Sequence, residues 1–337
     1  MNNTRLSHSQ LSRYQACAKD YDYYYNHRIR PVYQKAYFAF GAAFDKGAEI
    51  LVKSRDLEMA KLAFIEKWKY QDINSEKIDL EYYDGLEYGK YDLDMDLVDD
   101  NTDKASESTL CWRSLKTKGL LMLEALQRDI LPRISQVFST QEEISLENSD
   151  GDKVIGFSDI VAEFDGIPTV LDIKTSAVPY DIDAVKVSQQ LALYVHDLQE
   201  KYNTRRAGFI VIQKKVNKEK TKVCQKCGTN GSDTSHKTCN SVVDGARCHG
   251  TFTITKKFSM PTQVLVEEVP LITEEIVLEN VDVINKAIKS NIYPRNLNNC
   301  KGKYGTCTYY NLCYSNDMTN LSVVEKKEEI QQDVVKT

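Results

Sequence analysis

Two aspartates and a lysine in the middle of the chain have the spacing of a site that could hydrolyse a phosphodiester. Apolar residues alternate on both sides of Asp165-Gly166, a dipeptide that favours a tight turn, so two antiparallel strands are predicted. Asp159 lies on the first strand, and Asp172 and Lys174 lie on the second. Side chains two apart on a strand leave the same face of the sheet, so Asp172 and Lys174 are expected to lie together.

This combination of charges supplies what phosphodiester hydrolysis requires. Asp159 and Asp172 offer two hard oxygen ligands for Mg²⁺ or Mn²⁺, and such an ion lowers the pKa of a bound water. The ammonium group of Lys174 could then stabilise charge on the attacked phosphoryl group. The alternative is a surface hairpin with an ordinary Asp-x-Lys pair.

An amphipathic helix is predicted to follow the two strands. Over residues 182–200, apolar side chains recur at helical spacing, at Val187, Leu191, Val195 and Leu198. Gln190 and Tyr194 are four residues apart, so they lie one above the other on a neighbouring face. The alternative for these two residues is a capped helix of the core.

The order of these motifs resembles that of the RecB-like branch of the PD-(D/E)XK nucleases. That family shows Gly-x-x-Asp, then Asp/Glu-x-Lys-Thr, then Gln-x-x-x-Tyr. This chain has Gly156-Phe-Ser-Asp159, Asp172-Ile-Lys174-Thr175 and Gln190-Leu-Ala-Leu-Tyr194. The resemblance implies that Asp159, Asp172 and the carbonyl of Ile173 are metal ligands and that Lys174 is the catalytic lysine. It also implies that Gln190 and Tyr194 support the site or the nucleic acid.

The resemblance extends to the fold and to the N-terminal part of the chain. It implies an α/β, restriction-endonuclease-like fold, with a mixed central sheet flanked by helices. Residues 40–47 are similar to the family's Gly-x-x-x-His helix, with Asp45 where a metal-binding histidine is usual. An oxygen ligand also suits Mg²⁺, so Asp45 is a candidate ligand, and a solvated helix aspartate is the alternative. Glu142 or Glu143, on the strand predicted before the hairpin, is a further candidate for the site.

Nine cysteines divide into two groups of four and Cys111, which is expected to be a small buried hydrophobic residue. The first group is local and comprises Cys224, Cys227, Cys239 and Cys248. A Cys-x-x-Cys-Gly knuckle followed by two more cysteines predicts a structural Zn²⁺ site in an inserted zinc ribbon. His236 or His249 could replace one thiolate. A redox-active dithiol is the alternative, although it leaves the last two cysteines unexplained.

The second group joins the two ends of the chain and comprises Cys17, Cys300, Cys307 and Cys313. Zinc sites usually come as paired short knuckles, and this spacing does not follow that pattern. It resembles the iron–sulfur subset of RecB-like nucleases, which includes the CRISPR-associated adaptation nuclease. There a 4Fe–4S cluster fastens the N-terminal helix to the end of the domain. Those proteins usually show Cys-x₂-Cys, whereas Tyr304 stands there in this chain. A second zinc ion and free thiols are the alternatives.

Composition and motifs divide the chain into six stretches. They are an N-terminal helical part carrying Cys17 (1–70), an acidic irregular insertion (71–108), the nuclease core (109–220), the zinc ribbon (221–252), the end of the core with the cysteine triad (253–317) and a flexible tail (318–337). The acidic stretch holds thirteen Asp and Glu against three Lys. Such charge usually forms a solvated face, and it could also imitate DNA or fence the site.

The net charge of −5 and the isoelectric point of about 5.7 argue against a protein that coats nucleic acid through bulk electrostatics. Positive charge is nevertheless concentrated between Lys201 and Lys226, where Glu219 is the single opposing residue. This basic stretch could track a phosphate backbone, and a solvated hairpin is the alternative.

Together these patterns favour a metal-dependent deoxyribonuclease that acts as an exonuclease on linear or single-stranded DNA in recombination, repair or replication. The chain has no Gly-x-x-x-x-Gly-Lys-Ser/Thr loop, so a helicase would be a separate partner, as would a single-strand-binding protein. A structure-specific endonuclease and a non-cleaving DNA-binding scaffold remain alternatives. The lack of an apolar N-terminal segment or a long apolar run predicts a cytoplasmic protein without membrane contact, in the host cytoplasm if the source is a phage.

Overall fold

Short and long strands alternate with eight helices in the parts of the chain that the computed structural model describes, which are residues 5–68, 86–89, 92–98, 105–147, 151–230, 238–243, 245–302 and 305–324. The helices are α1 (His8–Ala16), α2 (Ala18–Tyr21), α3 (Ala36–Ser54), α4 (Leu57–Trp68), α5 (Glu107–Asp129), α6 (Gln189–Tyr202), α7 (Leu271–Lys289) and α8 (Tyr310–Ser315). The strands are β1 (Arg5–Ser7), β2 (Ile29–Pro31), β3 (Gln34–Lys35), β4 (Leu86–Glu87), β5 (Ile134–Glu147), β6 (Lys153–Phe164), β7 (Ile167–Ser176), β8 (Arg206–Gln213), β9 (Asn217–Cys224), β10 (Val242–Val243), β11 (Ala246–Arg247), β12 (Phe252–Ser259), β13 (Thr262–Glu268), β14 (Lys301–Gly302), β15 (Gly305–Thr306) and β16 (Leu321–Val323).

A mixed sheet of six strands forms the centre of the molecule. Strands β5, β6 and β7 pair in antiparallel fashion, and β7 pairs in parallel with β8. Strand β13 is antiparallel to β8, and β1 is parallel to β6. The parallel β7–β8 pair needs a crossover, and α6 is the helix that lies between them in the chain.

The turn between β6 and β7 matches the one that the sequence predicts. Asp165 and Gly166 both have positive φ, at 52° and 78°. Two successive residues in this conformation form the turn whose twist suits a two-residue hairpin, and Asp and Gly tolerate it best. Arg133 reinforces the turn, since its guanidinium donates to the Asp165 carboxylate at 2.7 and 3.1 Å.

Helices cover both faces of the sheet, which confirms the predicted α/β class with a mixed central sheet. Residues on β7 alternate between two cores. Leu171 and Ile173 pack with α3, α4 and α5, whereas Val170 packs with α1, α6 and α7. The strand that carries Asp172 is therefore buried from both sides.

Two element predictions need correction. The helix predicted over 182–200 begins only at Gln189, because the Ser188 hydroxyl accepts from the Leu191 amide and caps it. Val187, placed on the apolar stripe, precedes the helix and is 71% exposed. The N-terminal part is not purely helical, because β1 adds a strand to the central sheet.

The predicted tail is partly ordered. Residues 321–323 form β16, which pairs with β2, so the segment after the cysteine triad packs against the N-terminal part. Residues 325–337, His236 and most of the acidic stretch lie outside the described residues. Across the described parts, no helix has both the length and the apolar character needed to cross a bilayer.

Candidate active site and metal centres

An interruption in the pairing of one edge of β6 is the place where the candidate residues meet. Strand β5 occupies the other edge from Lys153 to Phe164. On the first edge, pairing with β1 ends at Ile155 and pairing with β7 begins at Ile160. Residues 156–159 therefore lie between the two partners and belong to neither ladder. We refer to this segment as the β6 gap.

Asp159 and Asp172 are the first residues beyond the paired part of β6 and β7. Asp159 Oδ2 accepts a hydrogen bond from the Ile173 amide at 2.7 Å, so a side chain takes the place of the ladder bond. Lys174 Nζ lies 2.6 Å from Asp172 Oδ2, and Asp172 is only 1% exposed. The alternation of β7 thus brings the aspartate and the lysine together as expected.

Helix α6 adds two side chains to the same place. Gln190 Nε2 donates to Asp172 Oδ1 at 2.9 Å and to the Tyr194 hydroxyl at 2.6 Å. The Tyr194 ring is buried against the β6 gap, where a Cβ on Gly156 would lie 3.2 Å from the ring. The four-residue spacing therefore produces a continuous chain of contacts from Tyr194 through Gln190 to Asp172.

Asp45 on α3 completes an acidic cluster at the β6 gap. Asp45 is exposed, yet the surrounding protein desolvates its carboxyl group enough to raise its pKa to about 7. The positive charge of Lys174 opposes this shift, and the negative charge of Asp172 adds to it. These influences place Asp45 within electrostatic reach of both residues.

The charges of the cluster fit a divalent cation. Burial raises the pKa of Asp159, and the charges of Asp172 and Asp45 raise it further. Burial lowers the pKa of Lys174, but the carboxylates outweigh it and the net shift is upward. A hard cation would relieve the repulsion between these oxygen ligands.

The two glutamates on β5 have other partners. Glu142 is bonded to Ser139 and to Lys201 near the end of α6. Glu143 pairs with Arg5 at 3.3 Å, and both side chains of that pair are exposed. Both carboxylates are thus held by residues outside the β6 gap.

His8 reaches the site although its position in the sequence carried no signal. Strand β1 runs parallel to β6 and ends opposite Ile155, which brings the first residue of α1 to the gap. His8 lines a small cavity together with Gly156 and Tyr194. Burial lowers the pKa of His8 to about 4, with a smaller contribution from the positive charge of Lys174. The imidazole is therefore neutral at physiological pH. The position of His8 beside the β6 gap follows from the β1–β6 pairing, which the sequence did not predict.

The local cysteine group forms a compact cluster. Its members are Cys224, Cys227, Cys239 and Cys248, and their sulfur atoms all lie within 4.8 Å of one another. Two sulfur pairs are 3.6 Å apart. Gly250 is packed against the group, since a Cβ there would lie 2.6 Å from the Cys224 sulfur. Exposed His249 is not part of the cluster. The four thiolates could hold one metal ion.

The second cysteine group lines a single cavity between the N-terminal and C-terminal segments. The cavity wall contains Cys17, Cys300, Cys307 and Cys313. Cys17 ends α1, and its sulfur accepts from the Asn296 amide at 3.4 Å. Within the described residues, the members of this group do not approach one another as closely as the ribbon cysteines do. The isolated Cys111 is buried in α5, as expected.

A comparison with protein families agrees with this arrangement. The family model described as the PD-(D/E)XK nuclease superfamily matches residues 5–314, which is nearly the whole chain. The chain therefore belongs to the PD-(D/E)XK nuclease superfamily, whose members are nucleases that use divalent metal ions. A search of curated proteins gave no match.

Proposed function

We propose that the protein is a Mg²⁺- or Mn²⁺-dependent exodeoxyribonuclease of the RecB-like, iron–sulfur type, acting on the ends of linear or single-stranded DNA. The observation that carries this proposal is the meeting of Asp159, Asp172 and Lys174 at the β6 gap. The proposed setting is recombination, repair or replication, with any helicase or single-strand-binding protein as a separate partner.

In this proposal each residue of the gap has a separate task. Asp159, Asp172, the carbonyl of Ile173 and Asp45 would hold the divalent cation. Bound there, the ion would lower the pKa of the attacking water and neutralise charge on the phosphate. Lys174 stabilises the negative charge that develops on the phosphoryl oxygens. In the hydrolysis, the water oxygen bonds to phosphorus, one phosphorus–oxygen bond to the sugar breaks, and the departing oxygen takes up a proton.

Gln190 and Tyr194 act as positioning residues. The Gln190 amide fixes one oxygen of Asp172, and the Tyr194 hydroxyl accepts the second hydrogen of the same amide. Groups that orient a metal ligand commonly change metal affinity by 10–100-fold when they are removed. The pair therefore controls how Asp172 presents its oxygens to the ion.

The two cysteine groups differ in a way that supports different metals. Tetrahedral Zn²⁺ with Zn–S distances of about 2.3 Å requires sulfur pairs about 3.8 Å apart. The 3.6 Å separations in the ribbon are close to this value, which supports Zn²⁺ there. The second group surrounds a cavity more widely, which supports a 4Fe–4S cluster, since a cluster is larger than one ion. Such a cluster would fasten α1 to the C-terminal segment.

The test uses anaerobically purified protein, end-labelled linear DNA and closed-circular DNA, each with Mg²⁺ or Mn²⁺. Wild-type protein is expected to shorten linear DNA, and Lys174→Ala is expected to leave it intact. Lys186→Ala is the matched control, because Lys186 is an exposed lysine paired with Asp183. Cutting of closed circles would instead support the structure-specific endonuclease. Binding without cleavage in either metal would leave the non-cleaving scaffold.

A further inference from the structure

The zinc ribbon is carried on a hairpin that lies outside the central sheet. Strands β9 and β12 pair with each other in antiparallel register, from Asn217–Ser259 at one end to Cys224–Phe252 at the other. The ribbon cysteines follow at the second end. We refer to the paired segments, residues 217–224 and 252–259, as the ribbon arm.

The register of the ribbon arm sorts its charges by face. Side chains alternate along a strand, and directly paired residues point to the same side. Lys218, Lys220 and Lys222 of β9 therefore share one face with Lys256 of β12, which pairs with Lys220. The opposite face carries Lys257 paired with Glu219, where the charges cancel. We call the first face the lysine face.

Carboxylates of the acidic stretch already contact one end of the lysine face. Asp94 Oδ1 and Asp96 Oδ2 each lie 2.8 Å from Lys218 Nζ. Asp96 Oδ1 lies 2.8 Å from Lys256 Nζ. The backbone of this segment is tied to α5, since the Asp94 amide donates to the buried Ser114 hydroxyl at 2.8 Å. Anionic oxygens attached to the body of the protein thus fix the base of the arm.

The outer part of the lysine face lies beyond this contact. Lys220 is exposed, and Lys222 lies with its ammonium 4.8 Å from the centre of the Phe252 ring. Both lysines stand on the same side as the two that the aspartates bind. The face therefore continues toward the ribbon as a positively charged strip on an otherwise acidic protein.

We propose that the lysine face is a second DNA-contact surface, which binds backbone phosphates outside the cleavage site through Lys220 and Lys222. Asp94 and Asp96 hold the base of the arm and so fix the position of the strand that carries the outer lysines. This inference rests on the proposed function, because the polyanion that reaches the arm is the DNA cleaved at the β6 gap. Lysine contacts to phosphates position the nucleic acid and carry no sequence information, so the contact suits a nuclease without sequence preference.

The test measures DNA affinity by fluorescence anisotropy without added divalent cations, so that cleavage does not enter the result. Lys220→Ala and Lys257→Ala form a matched pair, since each removes one lysine from the same arm but from opposite faces. Each lost phosphate contact should reduce the slope of log affinity against log salt by roughly 0.7–0.9. We expect this reduction for Lys220→Ala, a doubled reduction for Lys220→Ala with Lys222→Ala, and none for Lys257→Ala. Unchanged zinc content and circular dichroism show that the variants fold.

Two outcomes would overturn the inference. Wild-type affinity and slope in the double variant would show that the face does not contact DNA. An equal loss in Lys257→Ala would show that only the overall charge matters. Cleavage measured at saturating DNA tests the proposed nuclease activity independently of the binding result. The double variant should retain the wild-type maximal rate, and absence of cleavage in the wild type would contradict the nuclease proposal while leaving the binding result to stand on its own.

Discussion

Lys174 Nζ lies 2.6 Å from Oδ2 of Asp172, a carboxylate that is 1% exposed. Burying a carboxylate without a positive partner is costly, so in the metal-free protein Lys174 supplies much of the charge that Asp172 requires. A divalent cation at the β6 gap would contact the same carboxylate. If a cation binds there, stability and metal binding would therefore be coupled through Asp172.

Lys174→Ala should lower the free energy of unfolding of the metal-free protein by about 1–3 kcal/mol. Removing one partner of a fully buried ion pair costs roughly 3–5 kcal/mol. The expected loss is smaller here because Lys174 is 31% exposed. Added Mn²⁺ should restore much of this loss, since the ion takes over as the partner of Asp172. Urea unfolding with and without Mn²⁺ measures both effects. Lys186→Ala, which breaks an exposed pair, should change the midpoint little in either condition. Equal midpoints for wild type and Lys174→Ala would contradict the coupling.

Gln190→Ala should raise the Mg²⁺ concentration needed for half-maximal cleavage by roughly 10–100-fold, because Asp172 loses the donor that orients it. Tyr194→Phe should raise it less, because it removes only the acceptor at the far end of the chain and keeps the buried ring. Titrating Mg²⁺ in the cleavage assay gives both values. A larger effect for Tyr194→Phe than for Gln190→Ala would mean that the tyrosine, and not the glutamine, is the main residue that orients Asp172.

The elements that position the aspartates could be predicted because they depend on neighbours in the sequence. The Asp165-Gly166 turn needs only its own backbone preferences, and alternation along β7 places Asp172 beside Lys174. The start of α6 was predicted seven residues too early, because apolar spacing alone does not show where Ser188 caps the helix.

Contacts between distant segments could not be read in this way. The β6 gap exists because β1 pairs with the same edge of β6 as β7 does. A strand of three residues is too short for its sequence to indicate which strand it pairs with. The approach of His8 follows from that pairing. Likewise, the acidic stretch was predicted only as a solvated or DNA-like segment, and its contact with Lys218 spans more than a hundred residues.

The acidic cluster should make the metal-free protein less stable as the pH rises. The pKa of Asp45 is 3.8 in its ordinary state and about 7 in the folded protein, so folding favours the protonated form. The resulting stabilisation is fully present below about pH 4 and is lost as the pH rises toward 7. Melting temperatures measured without divalent cations should therefore fall over this range more steeply for wild type than for Asp45→Asn. Mg²⁺ should counteract the fall most strongly above pH 7, and parallel curves for the two proteins would contradict the assignment.

Cys17→Ser should remove iron and its visible absorbance from anaerobically purified protein while leaving zinc at one ion per chain. The two cysteine groups share no residue and lie in different parts of the fold, so loss of one metal should not release the other. Cys111→Ala is the matched control, since Cys111 is buried in α5 away from both groups. Elemental analysis of wild type, Cys17→Ser and Cys111→Ala measures the iron and zinc content of each protein. Two zinc ions and no iron in the wild type would assign zinc to both groups.

Asp96→Asn should loosen the ribbon arm without weakening the central sheet. The asparagine keeps the shape of the side chain but loses the charge that binds Lys218 and Lys256, whose side-chain bonds hold the pKa of Asp96 near 2. Amide exchange in β9 and β12 should become several-fold faster, while exchange in β6 and β7 stays unchanged, because openings of separate units have separate free energies. Asp183→Asn, which breaks an exposed pair with Lys186, should alter neither. Unchanged exchange in the arm would mean that contacts other than these ion pairs hold the arm in place.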